Sequence, residues 1–305
     1  MHQKNILRQI FVKSLWWLGW VPIAEVLKPL SRYPLSGKLI KHIPIVGRFH
    51  SPIGAVSVEY VGNRRDLIGR DIFWGGLSNY EPGTMNLLLS YVDDNTLFID
   101  VGANTGIYSA LALALGAKRV IAFEPIPEIF CSLIENLKAN GDSQRFLALN
   151  SAVSYKDGYT EFHVPDGPVF PTSGSFHPKG FRGVQGRLIA VQTQSLDSTM
   201  ESNGVDLTGY HTIIIKIDVE GFEADVVKGM KEIISTGRAV IIFECHPDGP
   251  IAELRALLEK YDYKVSHIDD DGLHELDYLD VSYSHSNQWN FVGFPRIFIH
   301  NNYSY

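Results

Sequence analysis

The 305 residues include 27 Lys and Arg against 34 Asp and Glu, for a formal charge of −7, and 45% of the side chains are apolar. That apolar share supplies a continuous core and argues against a disordered chain, and the negative balance rules out a global positive field drawing the chain onto nucleic acid. Cys131 and Cys245 are too few for a disulfide scaffold; both are expected as reduced core thiols, which suits a cytoplasmic enzyme, and no Cys and His spacing matches structural zinc.

Residues 11–30 are apolar and rich in tryptophan, but Pro22, Glu25, Lys28 and Pro29 interrupt them, so they fall short of a membrane span. They also lack a small-residue cleavage site. Lys4, Arg8 and Lys13 beside Ile6, Leu7, Ile10, Phe11, Leu15 and Trp16 give an amphipathic helix suited to an anionic membrane surface. The alternative is a helix that covers the core or a second copy in a homo-oligomer. Residues 1–75 are expected to form a helical extension and a small strand unit with apolar runs at 55–60 and 67–74, and residues 76–305 the main domain.

A helix is expected over 79–91, behind Pro82. Strands at 97–101, 119–123 and 147–153 alternate with helices at 105–115 and 127–139, the pattern of a parallel α/β sheet. Glycine and proline then recur through 155–197, too long for an ordinary connection, so a hairpin or lid over the substrate site is expected there, against a plain surface loop. Strands at 211–217 and 239–243 flank a helix over 223–236. Their Ile and Val content without polar alternation fits a sheet covered by helices on both faces. A helix at 251–261 and strands at 263–268 and 290–294, around a turn at Asp271 and Gly272, complete the chain.

The run DVGANTG follows the first strong strand and precedes a helix. Gly102 lets backbone approach a ligand, Gly106 lets the turn approach a helix, and Asp100 stands near the charged end of a cofactor. A dinucleotide fingerprint would carry glycine where Asn104 stands, which disfavours an oxidoreductase and favours S-adenosylmethionine. Glu124 ends the next strand, where a carboxylate receives ribose hydroxyls.

Taken in order, Tyr80-Glu81-Pro82, DVGANTG at 100–106, Phe123-Glu124-Pro125, Asn150-Ser151-Ala152-Val153 and IDVEGFE at 217–223 resemble the FkbM family of S-adenosylmethionine-dependent methyltransferases, over residues 80–246. The resemblance implies a class I methyltransferase Rossmann-like fold, a mostly parallel seven-stranded sheet with one antiparallel strand near the carboxyl end. It implies S-adenosylmethionine as cofactor and transfer to oxygen, often a hydroxyl of a sugar, glycan or specialised metabolite. Asp100, Gly102, Asn104 and Gly106 match its first motif and Glu124 its ribose acid; Asn150 and Ser151 fall where adenine is approached, and Glu81 is a cofactor or acceptor contact.

KIDVEGFE, at 216–223, concentrates charge at the carboxyl end of an apolar strand, the edge where active sites of open α/β sheets collect. The following strand ends in Glu244, Cys245 and His246. His246 is the first candidate general base, with Asp218 and Glu220 behind it, while Lys216 and Glu244 are candidates for holding the substrate. Glu223 suits a helix cap. These residue types also permit a divalent metal, but spacing does not establish convergence and none is expected. Trp74, Tyr80, Phe170, Phe176 and His177 either line an acceptor pocket or pack in the core. N-methylation of an amino sugar or metabolite, and a cofactor-binding interaction protein without catalysis, stand as alternatives.

Overall fold

The computed structural model describes residues 19–32, 40–171, 186–246, 249–270, 272–275 and 289–297. By internal contacts the chain divides into two compact units, residues 1–80 with 167–170, and residues 81–166 with 171–305.

In the first unit, helix α1 (Val21–Leu27) runs into a 3-10 turn, Lys28–Arg32. Strands β1 (Gly47–Ile53) and β2 (Val56–Gly62) pair antiparallel, and helix α2 (Leu67–Gly75) follows. The run at 67–74, expected as a strand, is this helix. A short apolar run has no decisive period, and here Asp66 at the start and Gly76 at φ +87° past the end bound a helix. Phe73 packs edge-on against Phe49 and Trp74, and the Trp74 Nε1 donates to the Ile43 carbonyl at 3.1 Å, so Trp74 belongs to this core. Phe170 lies under the Arg65 guanidinium, 4.9 Å from ring centre, and its N–H donates to the Arg65 carbonyl. Phe176, His177 and the helix expected around Lys4, Arg8 and Lys13 lie outside the described residues.

The second unit begins with helix α3 (Pro82–Tyr91). The succession continues as β3 (Thr96–Val101), α4 (Ile107–Ala114), β4 (Arg119–Phe123), α5 (Pro127–Asn140) and β5 (Phe146–Leu149). Next come β6 (Ala152–Val153), β7 (Gly158–Pro165), β8 (Gly186–Gln194) and α6 (Leu196–Ser202). The chain closes with β9 (Thr212–Ile217), α7 (Glu223–Lys228), α8 (Lys231–Ser235), β10 (Ala239–Glu244), α9 (Ile251–Lys260), β11 (Tyr263–Asp269), β12 (Gly272–Glu275) and β13 (Asn290–Pro295).

The main sheet is mixed, eight strands in the order β12-β11-β13-β10-β9-β3-β4-β5, flanked by helices. The five from β10 to β5 run parallel, while β13 is antiparallel to both β10 and β11. Every residue of β3 and β9 is buried, and each fully buried Ile, Leu or Phe contributes about 1.5–3 kcal/mol. The sheet thus has one strand more than the expected seven. Where a turn alone was expected, the Asp269 carboxylate accepts the Gly272 N–H at 3.1 Å, Gly272 takes φ +130°, and β12 pairs back along β11.

Three further expectations are corrected. The strand at 147–153 splits at Asn150 and Ser151, β5 staying in the main sheet and β6 joining a small sheet of order β6-β8-β7. The helix at 223–236 breaks after Lys228. Gly229 packs against the Ser154 carbonyl, where a Cβ would stand at 2.4 Å, and the Asp197 carboxylate takes the N–H groups of Glu232 and Ile233 at the start of α8. Cys245 is buried and outside any disulfide, as expected, but Cys131 is exposed on α5. Strands β7 and β8 form an antiparallel hairpin over their whole length. Among the described residues, no helix is long and apolar enough to cross a membrane.

Candidate active site

Register places the predicted residues on one edge. Val101 pairs with both Ile217 and Phe123, Ile217 with Phe243, and Phe123 with Leu149. The next residue of each strand, Gly102, Asp218, Glu124, Glu244 and Asn150, therefore emerges at the carboxyl end of the sheet. From β3 the chain winds one way through β4 and β5, and β9 and β10 lie on the other side of β3. The strand order reverses between β3 and β9, the crevice where open α/β sheets bind ligands.

The turn after β3 is held in an unusual conformation. Gly102, Asn104 and Gly106 all have positive φ, at +80°, +50° and +85°. A Cβ on Gly102 would meet the Asp218 carbonyl oxygen, and one on Gly106 would stand 2.4 Å from the Leu133 Cδ1. Both glycines are thus required by packing within the chain as well as by any ligand. The Asn104 side chain accepts the Thr105 N–H at 2.9 Å, which helps a non-glycine residue stay left-handed. Asp100 is buried, and its Oδ2 accepts the Ser109 N–H and hydroxyl at 3.2 and 2.6 Å, tying β3 to α4. Burial pushes the Asp100 pKa up to about 6.

Glu124 braces the same turn. Its Oε2 accepts the Asn104 N–H at 3.0 Å and its Oε1 the Ile126 N–H at 2.8 Å. Burial outweighs both bonds and raises its pKa to about 8. The Asn150 amide donates to the Glu124 carbonyl at 2.8 Å, whereas the buried Ser151 hydroxyl accepts from the Gln194 amide and so faces the small sheet.

Across the crevice the charged residues gather. His246 Nε2 lies 3.3 Å from the Glu244 carboxylate and 3.8 Å from that of Glu220, itself at φ +50°. Lys216 is 1% exposed, its Nζ is 3.8 Å from Asp218 and 5.4 Å from the centre of the Tyr108 ring, and it has no hydrogen-bond partner among the described residues. Burial opposes its charge, but Asp218, Glu81, Glu244 and Asp100 more than offset this and hold its pKa above the ordinary value. Repulsion from Asp218, with burial, raises Glu244 to about 8. Glu223 accepts the Gly221 N–H at 2.8 Å beside the start of α7, and burial lifts it to about 7.

Two residues join this edge that sequence reasoning missed. The Tyr108 hydroxyl donates to Glu81 Oε2 at 2.5 Å, and the Asn290 amide to the same oxygen at 3.1 Å. Glu81 takes the left-handed conformation (φ 42°) that turns the chain into α3. Asn290 pairs opposite Glu244 at the start of β13. A polar residue opening an otherwise apolar strand is the one signal the sequence offers for it.

Comparison with known proteins bears on this edge. A hexuronic acid methyltransferase of Haloferax volcanii, AglP, is 28% identical over 187 residues, covering 61% of this chain and 66% of that protein, just under two thirds of its length. The 2-O-methyltransferase NoeI of Sinorhizobium fredii is 28% identical over 178 residues, 53% of this chain and 70% of that one. A crystal structure of methyltransferase FkbM from Methylobacillus flagellatus superposes with TM-score 0.41 at 17% identity, covering 66% of this chain and 44% of that one. Residues 100–265, more than half of the chain, match the family described as the methyltransferase FkbM domain, from Asp100 through Lys216, Glu244 and His246. Membership carries S-adenosylmethionine as the cofactor. The chain belongs to the FkbM methyltransferase family.

Proposed function

We propose that the protein transfers the methyl group of S-adenosylmethionine to a hydroxyl oxygen of a sugar or glycan, on a class I methyltransferase sheet extended by β12. The observation that carries the reading is the crevice between β3 and β9, with the DVGANTG turn on one side and His246, Glu220, Glu244, Asp218 and Lys216 on the other. The chemistry of these residues fits the cofactor. The backbone at 102–106 has no side chain in the way at its two glycines, a buried acid stands at the ribose position, and several carboxylates suit a cationic sulfonium. Gly102, Asn104, Gly106, Glu124, Asn150 and Glu81 would hold it, with Asp100 and Ser151 fixing the backbone around them.

When bound, the cofactor supplies a methyl group on positively charged sulfur. The chain's part is to place the acceptor oxygen in line with that methyl and to receive its proton. In this reading His246 takes the proton as charge develops on the oxygen, and Glu244 and Glu220 orient the imidazole. Lys216, buried with donors to spare, hydrogen-bonds an acceptor oxygen. Glu81 offers Oε1, since its two observed bonds fall on Oε2. The similarity to AglP, a hexuronic acid methyltransferase, supports a sugar as acceptor, and that to NoeI, a 2-O-methyltransferase, supports oxygen as the atom methylated. The carboxylates of Glu81, Asp218 and Glu220 favour a second reading, an amino sugar methylated on nitrogen, because they would attract its ammonium form.

Incubating the chain with methyl-labelled S-adenosylmethionine and a library of glycans and metabolites, followed by mass spectrometry, tests the reading. A labelled product with the methyl on oxygen supports it, and fragmentation that places the methyl on nitrogen selects the second reading. Cofactor binding without transfer across the library would favour an interaction protein. Replacing His246 with Ala should lower turnover more than cofactor affinity; near-normal turnover would move the base to Asp218 or Glu220.

A further inference from the structure

Charge is divided between the two units. Residues 1–80 hold 11 Lys and Arg against 4 Asp and Glu, a balance of 11 − 4 = +7, and residues 167–170 add none. The remaining chain holds 16 against 30, or −14, which restores the total of −7. A small unit with this surplus inside an acidic protein is built to meet an anionic partner.

Its exposed side chains narrow the partner. Trp20 is 58% exposed, Val26 75% and Leu30 45%, and with Ile23 between them they are spaced three, three and four residues apart along α1 and the turn after it. Three of the five tryptophans fall at Trp16, Trp17 and Trp20, directly after Lys4, Arg8 and Lys13 in the sequence. Lys41 and Arg64 are exposed on the same unit. Tryptophan beside aliphatic side chains and basic residues is the composition that binds the headgroup boundary of a bilayer.

We infer that the amino-terminal unit is a docking surface for anionic lipid bilayers, with Trp20, Val26 and Leu30 entering the headgroup boundary and the basic residues drawn to the lipid charge. Exposed Val and Leu side chains contribute nothing to binding a nucleic-acid backbone. A second copy of the same surface would set +7 against +7. The −14 of the other unit is repelled from an anionic surface, so attachment runs through the first unit alone.

Sedimentation of the full chain with vesicles tests this. Vesicles of phosphatidylcholine containing about 30% phosphatidylglycerol should bind it at least roughly tenfold more strongly than phosphatidylcholine alone, and about 0.5 M salt should abolish the difference. Replacing Trp20, Val26 and Leu30 together with Ser should lower binding to the anionic vesicles roughly tenfold or more. If that variant fails to fold, the lipid and salt comparisons on the native chain still decide. No sedimentation with anionic vesicles, equal binding to both vesicle types, or an unchanged folded serine variant would overturn the inference. Binding of single-stranded RNA where anionic vesicles do not bind would assign the charge to nucleic acid instead.

Discussion

The Asp218 carbonyl oxygen occupies the space a side chain at Gly102 would need, with a Cβ there only 1.9 Å away. Loops from neighbouring parallel strands touch backbone to backbone where the strand order reverses, and Gly102 takes φ +80° to allow it. Gly102→Ala carries a left-handed strain of about 1–3 kcal/mol, and relieving the contact would move Asp218. The variant should unfold at a lower temperature and lose most of its affinity for S-adenosylmethionine. Thermal unfolding and calorimetric titration check both; native values in each would show that the loops can part at little cost.

Glu81 is held by groups far from it in sequence, Tyr108 and Asn290. A hydrogen bond to a charged group is worth about 1.5–3 kcal/mol. Tyr108→Phe and Glu81→Gln should each slow methyl transfer, and the double variant should be little worse than the poorer single one. Rates for the four proteins of this double-mutant cycle give the coupling. Strictly additive effects would mean that Tyr108 and Glu81 act independently.

Four carboxyls at or beside the edge have raised pKa values: Asp100 about 6, Glu223 about 7, and Glu124 and Glu244 about 8. Their ordinary values are 3.8 for Asp and 4.5 for Glu, so between those values and the raised ones the folded chain binds more protons than the unfolded chain. Stability from these groups is complete below about pH 4 and is lost as pH rises to about 8. At about 1.4 kcal/mol per unit each group taken alone amounts to about 3–5 kcal/mol, and because the groups repel one another these amounts do not simply add. Urea unfolding without ligand at about pH 5, 7 and 9 should show stability falling and then levelling; a rise across that range would contradict it.

Much of the edge was legible because its residues follow apolar strands in short, punctuated runs. Gly102, Glu124 and Asp218 each stand one residue beyond a strand whose period and length are plain, Glu244 ends another, and parallel register brings them level. Tyr108 and Asn290 were not legible. Tyr108 reads as one more apolar residue of a buried helix, and Asn290 reaches Glu81 only because β13 runs antiparallel beside β10, a pairing that no local pattern specifies. The same limit explains residues 67–74, where Phe73 and Trp74 suit strand and helix alike, and residues 147–153, where Asn150 and Ser151 hand the chain from one sheet to another.

The claim that the turn at 102–106 and Glu124 grip S-adenosylmethionine is tested most directly by calorimetric titration of the full chain, native and Glu124→Gln. The native chain should bind one equivalent saturably. The variant turns an NH2 donor toward one of the two backbone N–H groups, of Asn104 and Ile126, that the Glu124 oxygens accept, and should bind roughly tenfold or more weakly. Absence of saturable binding by the native chain, together with saturable binding of NAD, would contradict the account.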